Sequence, residues 1–229
     1  ILQHLAHQSH HHAIPGFRSR PCAVLHGQKR KRLHRLACGA VRFRRAQPIW
    51  TDQSFREVAG AVKASCAVAA VRSATAGFPV DESCAQPFRH GTWLFSHNGR
   101  IDDFGGVEGR LRKLAGDVAG VPDARAPVDS APLFALAVRH WRDGASLGDG
   151  LAAVIGEIGA LASGRYNLLA SDGTTLAATT WGDTLFVRAD GDRIGIASEP
   201  LDDDPAWEAV PDRSLVTAGL ASGVAVVPL

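Results

Sequence analysis

The sequence predicts an α+β fold with a largely antiparallel sheet. Three observations lead there: strand-like runs lie on both sides of a block of apolar helices, two late runs are each broken at an Asp-Gly, and no apolar stretch is long enough to cross a bilayer. At 229 residues, with 45% hydrophobic and 21% charged, the chain has the material for a substantial core.

From Trp50 onward each element has a local reason. Ser54 and Glu57 match a capping box, in which a hydroxyl and a carboxylate satisfy N–H groups at a helix start, and a short helix runs to about Val62. "CAVAAVR" (66–72) is a small-residue, β-branched run expected as a buried strand. "TWLFSH" (92–97) is a second strand that ends at Ser96-His97-Asn98-Gly99. Val107, Leu111, Leu114 and Val118 are spaced for one face of a helix over 106–119, closed by Pro122 and Pro127. "APLFALAVRHW" (131–141) and "LAAVIGEIGALA" (151–162) are two further helices. Asp172-Gly173 marks a hairpin with a tight I′ turn, Asp190-Gly191-Asp192 repeats the pattern, and residues 214–229 alternate like strands.

Charge divides the chain unevenly. Residues 1–51 hold ten Lys or Arg, seven of the ten histidines and no acid, although the whole chain carries only +2. We therefore separate an anomalous basic, histidine-rich segment, residues 1–43, from a domain over 44–229. Cysteines 22, 38, 66 and 84 form no CxxC pair, which favours a reducing cytoplasm over a disulfide framework. His7 and His10–His12 lack the carboxylate or thiol partners of a metal site. "KRKR" (29–32) reads as a solvated charge cluster, so no nucleic-acid partner is expected, and no membrane partner either. The sequence begins at Ile1 and lacks methionine, which leaves open a removed or misassigned start, or a fragment.

Chemistry-bearing residues gather at three places. At Asn98-Gly99 an amide side chain and a freed backbone N–H can together stabilise an oxyanion; the alternative is an ordinary Asn-Gly turn. In "AAVRSATAG" (69–77) Arg72 can fork onto a carboxylate and Thr75 can add a hydroxyl donor, or Arg72 is simply a surface residue at a strand end. Asp129 precedes an apolar helix, where it either caps the N-terminus or accepts a ligand ammonium. Together they describe a pocket for a γ-glutamyl group.

These stretches resemble the class II glutamine amidotransferase-type, N-terminal-nucleophile hydrolases. The resemblance runs through "RRAQPIWTDQSF", "AAVRSATAGFPVDES", "PFRHGTWLFSHNG", "VDSAPLFALAV", "RYNLLASDG" and "TTWGDTLFVR", covering about residues 44–216. "SEPLDDDPAWEAVPDRSL" is similar to the ergothioneine-biosynthesis amidohydrolase branch. The resemblance implies a four-layer αββα sandwich, no metal or organic cofactor, and hydrolysis of γ-glutamyl-hercynylcysteine sulfoxide to release glutamate. It implies that Asn98 and Gly99 form the oxyanion hole, that Arg72 and Thr75 hold the glutamyl α-carboxylate, and that Asp129 holds its α-amino group.

The family nucleophile is an N-terminal cysteine in a stretch like Cys-Arg-His-Leu, whose thiolate attacks the amide carbonyl. Here His4 and Leu5 fit that stretch but Leu2 stands at the cysteine's position, so the polypeptide as written is expected to be inactive as an amidase. Between about residues 8 and 40 the resemblance vanishes, and poor packing is expected over 8–38, with the N-terminal strand region defective. A shifted reading frame accounts for this: codons compatible with "QKRKRLHRL", read one base later, permit Asn-Ala-Asn-Gly-Phe-Ile-Gly-Trp, close to a family stretch. The other reading is a real, non-catalytic relative that keeps the γ-glutamyl pocket.

Overall fold

The computed structural model describes residues 20–26, 40–48, 51–62, 64–71 and 78–229. Its strands form two sheets in which every pairing between neighbours is antiparallel. The five-stranded sheet contains β1 (Arg20–His26), β2 (Cys66–Val71), β7 (Phe186–Asp190), β8 (Arg193–Ala197) and β9 (Glu208–Ala209), in the order β2-β1-β8-β7-β9. The six-stranded sheet contains β3 (Phe88–His90), β4 (Trp93–Ile101), β5 (Gly164–Ser171), β6 (Thr175–Thr179), β10 (Ser214–Gly219) and β11 (Gly223–Pro228), in the order β11-β10-β6-β5-β4-β3. The helices are α1 (Gln53–Ala61), α2 (Phe104–Ala115), α3 (Ser130–Arg142) and α4 (Leu147–Gly159).

Period-two alternation sends the six-stranded sheet's side chains to two cores. Phe95, Ile101, Tyr166, Leu168, Ala170 and Ala177 face α2, α3 and α4. Leu169, Leu176, Ala178, Val216 and Ala218 face the second sheet, where they meet Ala23, Val187, Ile194 and Ile196. The sheets are thus stacked, with helices on the outer face of the larger one. Helix α3 is buried on nearly every side from Ser130 to Val138, as its all-round apolar sequence requires. Its Phe134 ring lies 5.6 Å from Phe88 and 5.7 Å from Phe95, which locks the helix onto β3 and β4.

The structure corrects four local expectations. Strand β1 occupies residues 20–26 of the segment expected to pack poorly, the rest of which lies outside the described residues: it pairs with β2 on one side and β8 on the other, and Ala23 is buried. Helix α1 is capped by Asp52, whose Oδ1 accepts from Phe55 N at 3.1 Å, two residues before the Ser54 expected to cap it. The 171–176 hairpin exists, but among its turn residues only Gly173 has positive φ, so it is not a two-residue I′ turn. Asp172 Oδ1 instead accepts from Thr174 N and Thr175 N, an Asx-type closure. Last, the strand expected to end at Ser96-His97-Asn98-Gly99 continues to Ile101, with all four residues paired to β5. Among the described residues no helix is long and apolar enough to cross a membrane.

Candidate active site

Asn98 and Gly99 sit inside β4, opposite Asn167 and Tyr166 of β5. Alternation turns Phe95, His97 and Ile101 toward the helices and Asn98 toward the other sheet. Gly99 breaks the strand's regular twist with φ of +142°. A Cβ at this position would collide with the Arg165 carbonyl oxygen and lie 3.0 Å from His97 Nε2. Only glycine satisfies both constraints while staying paired to β5. The histidine, amide and glycine thus lie in a continuous strand, not a turn.

Asp129 approaches from the other side. Its backbone is already helical (φ −62°, ψ −28°) and its side chain makes no cap hydrogen bond to α3. Instead Asp129 Oδ2 accepts from Ile101 N at 3.0 Å, which ties the buried carboxylate to the end of β4, two residues beyond Gly99. The next residue, Ser130, has its Oγ 3.0 Å from His97 Nδ1 and 3.4 Å from Asp129 Oδ1, and accepts from Gln86 Nε2 at 3.3 Å. Gln86 also donates to His97 O at 3.2 Å, and its Oε1 accepts from Ser96 Oγ at 2.6 Å and His97 N at 2.7 Å. One buried amide thus holds β4 and the start of α3 in fixed relation.

Tyr166 forms the wall beside this network, stacked near His97 with ring centroids 6.3 Å apart. Burial chiefly, with the nearby Asp102 and Asp129 carboxylates, pushes its phenol pKa up to about 12, so it stays neutral and donates to Ala162 O at 3.0 Å. On the sheet-facing side, Asn167 Oδ1 accepts from Trp181 N at 2.7 Å, and Nδ2 donates to Asp183 O at 2.9 Å and Thr184 O at 3.0 Å. That side chain fixes the 181–184 corner, over which Arg165 pairs with Asp183 at 2.7 Å.

Asn98, Gly99 and Asp129 are therefore brought to one end of β4. Arg72 and Thr75, with Leu2, the histidine cluster and "KRKR", lie outside the described residues. Strand β2 ends at Val71, immediately before Arg72, and packs across from β4 and β5. Cys66 Sγ sits 3.0 Å from Ser171 Oγ; burial is the main influence and raises its thiol pKa, which disfavours a nucleophilic thiolate. Cys84 is buried in the helix-side core. Sequence reasoning missed Gln86 and Asn167, whose roles rest on partners far away in the chain. It placed His97 at a strand end but did not show what its ring meets.

No protein-family model matches the chain. Among characterised proteins, it is 43% identical over 191 residues to the γ-glutamyl-hercynylcysteine sulfoxide hydrolase of Mycolicibacterium smegmatis, covering 83% of this chain and 76% of that protein. The hydrolase of the same name from Mycobacterium tuberculosis strain H37Rv is 44% identical over 176 residues, 76% of this chain and 68% of the relative. A glutamine aminotransferase class-II domain protein from Silicibacter pomeroyi superposes with a TM-score of 0.69 at 21% identity, over 93% of this chain and 98% of that one. The glutamine phosphoribosylpyrophosphate amidotransferase of B. subtilis gives a TM-score of 0.65 at 17% identity, over 99% of this chain and 46% of that one. These two likenesses establish the class II glutamine amidotransferase fold.

Proposed function

The chain belongs to the γ-glutamyl-hercynylcysteine sulfoxide hydrolase family, and on that premise we propose that its site binds the glutamyl end of a γ-glutamyl compound for hydrolysis of the γ-amide. The observation that supports this most is the anchoring of Asp129 to Ile101 N, two residues past Gly99 on the same strand. A carboxylate for an ammonium is thereby held close to the pair proposed for the oxyanion. Asn98 and Gly99 take the negative charge that develops on the attacked carbonyl oxygen. Asp129 takes the α-ammonium, and Arg72 with Thr75 takes the α-carboxylate. The substrate we propose is γ-glutamyl-hercynylcysteine sulfoxide, in a cytoplasmic setting.

The covalent step needs a thiolate. It adds to the carbonyl carbon, the amine leaves with a proton, and water then cleaves the thioester to give glutamate. Leu2, at the position matching the family's cysteine, has no lone pair to offer. We propose accordingly that residues 1–43 depart from the family in sequence through a shifted frame, that 44–229 form the amidotransferase-like domain with β1 completing its smaller sheet, and that α1 supplies the fourth layer. The alternative favoured by Leu2 is a non-catalytic γ-glutamyl-binding relative.

Calorimetry with L-glutamate and a hydrolysis assay separate these readings. This chain is expected to bind glutamate without turnover. Asp129→Asn should weaken binding roughly tenfold or more, the scale of a charge-assisted hydrogen bond. A chain translated from the frame-corrected gene, with its cysteine exposed, should hydrolyse the γ-glutamyl substrate. If the genomic DNA before the Arg44 codon is one uninterrupted frame, the frame explanation falls and the binding reading stands alone. If glutamate does not bind and neither chain hydrolyses γ-glutamyl compounds, both readings fail.

A further inference from the structure

His97 is not among the residues assigned to the reaction above, yet its ring touches both halves of the site. It is buried at 2% exposure, and each ring nitrogen has one partner. Nε2 lies 2.9 Å from the Arg165 carbonyl oxygen, the same atom that excludes a Cβ at Gly99. A carbonyl oxygen only accepts, so Nε2 carries the hydrogen and donates. In the neutral imidazole Nδ1 is then a bare acceptor, and the group facing it at 3.0 Å is the Ser130 hydroxyl.

That assignment decides where the hydroxyl proton goes. Ser130 Oγ has one hydrogen and two candidate acceptors: His97 Nδ1 at 3.0 Å and Asp129 Oδ1 at 3.4 Å. The imidazole is nearer, and Gln86 Nε2, donating to the same oxygen at 3.3 Å, holds the hydroxyl in place. A proton shared with His97 Nδ1 at 3.0 Å weakens the longer donation from Ser130 Oγ to Asp129 Oδ1 at 3.4 Å. Its other oxygen is fixed by Ile101 N at 3.0 Å, so the carboxylate is oriented while Oδ1, met only by the long Ser130 contact, keeps most of its acceptor capacity.

We propose that His97 is a positioning residue: acting through Ser130, it keeps Asp129 Oδ1 available to a ligand ammonium, while its other nitrogen braces the Arg165 carbonyl against Gly99. This deepens the γ-glutamyl reading, because it rests on Asp129 as the ammonium acceptor. It adds two residues, His97 and Ser130, that never touch the substrate and yet set its selectivity for an α-amino group.

The two nitrogens can be tested separately. Asparagine at 97 can offer an acceptor near Nδ1, whereas glutamine reaches toward the Nε2 position and abandons Nδ1. In His97→Gln the Ser130 proton has only Asp129 to go to and competes with the ligand. The measurement is calorimetric affinity for L-glutamate and for glutarate, which lacks the amino group. His97→Gln should lose roughly tenfold in L-glutamate affinity, about one hydrogen bond, with glutarate within about twofold of the parent. His97→Asn should restore most of the preference for L-glutamate. Equal losses for both ligands, or no restoration by asparagine, overturn the proposal.

Ring-nitrogen NMR of the unligated chain gives a readout independent of binding and of the stability of the His97 variants. His97 should show the Nε2–H tautomer, and Ser130→Ala should shift the Nδ1 resonance toward that of an unprotonated nitrogen that accepts no hydrogen bond. An Nδ1–H tautomer, or no response to Ser130→Ala, overturns the proposal whatever binds. If these signatures appear and L-glutamate still fails to bind, the assignment of Asp129 as ammonium acceptor falls and takes the proposed role of His97 with it.

Discussion

Gly99 carries the tightest steric demand in the site. A methyl group there meets the Arg165 carbonyl oxygen, a backbone atom of a paired strand that cannot rotate away, and φ of +142° is a conformation L side chains rarely adopt. Gly99→Ala should therefore destabilise the fold by roughly 2–4 kcal/mol, combining backbone strain with overpacking. Urea unfolding measures it; a change below about 0.5 kcal/mol would mean that β5 yields easily. The residue types at 98–99 were readable as hydrogen-bonding and conformationally free. Their setting in a continuous strand was not, because the strain at 99 arises from β5, some 65 positions away. Asp129 was likewise legible as either a cap or an acceptor. Its missing cap bond speaks against the cap and its grip on Ile101 N fixes where the carboxylate lies, and neither is a local property.

At the scale of elements, the hairpin from β5 to β6 was recognisable from Asp172-Gly173, but its closure follows different chemistry. Burial acts to raise the Asp172 carboxyl, and hydrogen bonds from Thr175 and Thr174, side chain and backbone, outweigh it and hold the pKa below the usual value. A carboxyl lowered in the folded state adds stability that is present above its unfolded pKa of about 3.9 and disappears as pH falls through the folded value. Asp172→Asn removes that titration while retaining an acceptor for the turn. The stability advantage of the parent over this variant should be constant near neutrality and shrink as pH drops below about 4. Urea midpoints at several pH values check this, and an advantage that grows in acid would contradict it. Helix α3 shows the opposite case: its apolar run alone was enough to place it within one residue at each end, since a helix buried all round leaves periodicity nothing to disguise.

Across the whole molecule, the α+β class, the antiparallel pairing and the late run of strands followed from patterning alone. Strand β1 did not. "RPCAVLH" is short, begins next to a proline and is surrounded by basic and histidine-rich sequence, so its few apolar residues give a weak signal. What makes it a strand is the two-sided gap between β2 and β8, which only tertiary structure reveals. Ala23→Asp tests that placement, because it puts a carboxylate between the two stacked sheets. A loss of several kcal/mol, or failure to fold, is expected for a charge buried without a partner. A surface-like effect within ±0.5 kcal/mol would show that residues 20–26 do not occupy the middle of the sheet.

The neighbours of β1 also impose a timetable on synthesis. Ala23 stands opposite Val68 on one flank and Ile196 on the other. A ribosome adding about 5–20 residues per second needs about 10–35 s between making the first strand and making its distant neighbour. For that interval the nascent chain displays an unfilled edge with backbone groups ready to pair with any extended polypeptide. Yield in a cell is therefore set partly by what shields that edge during translation, and slower elongation should lengthen the window for misassembly.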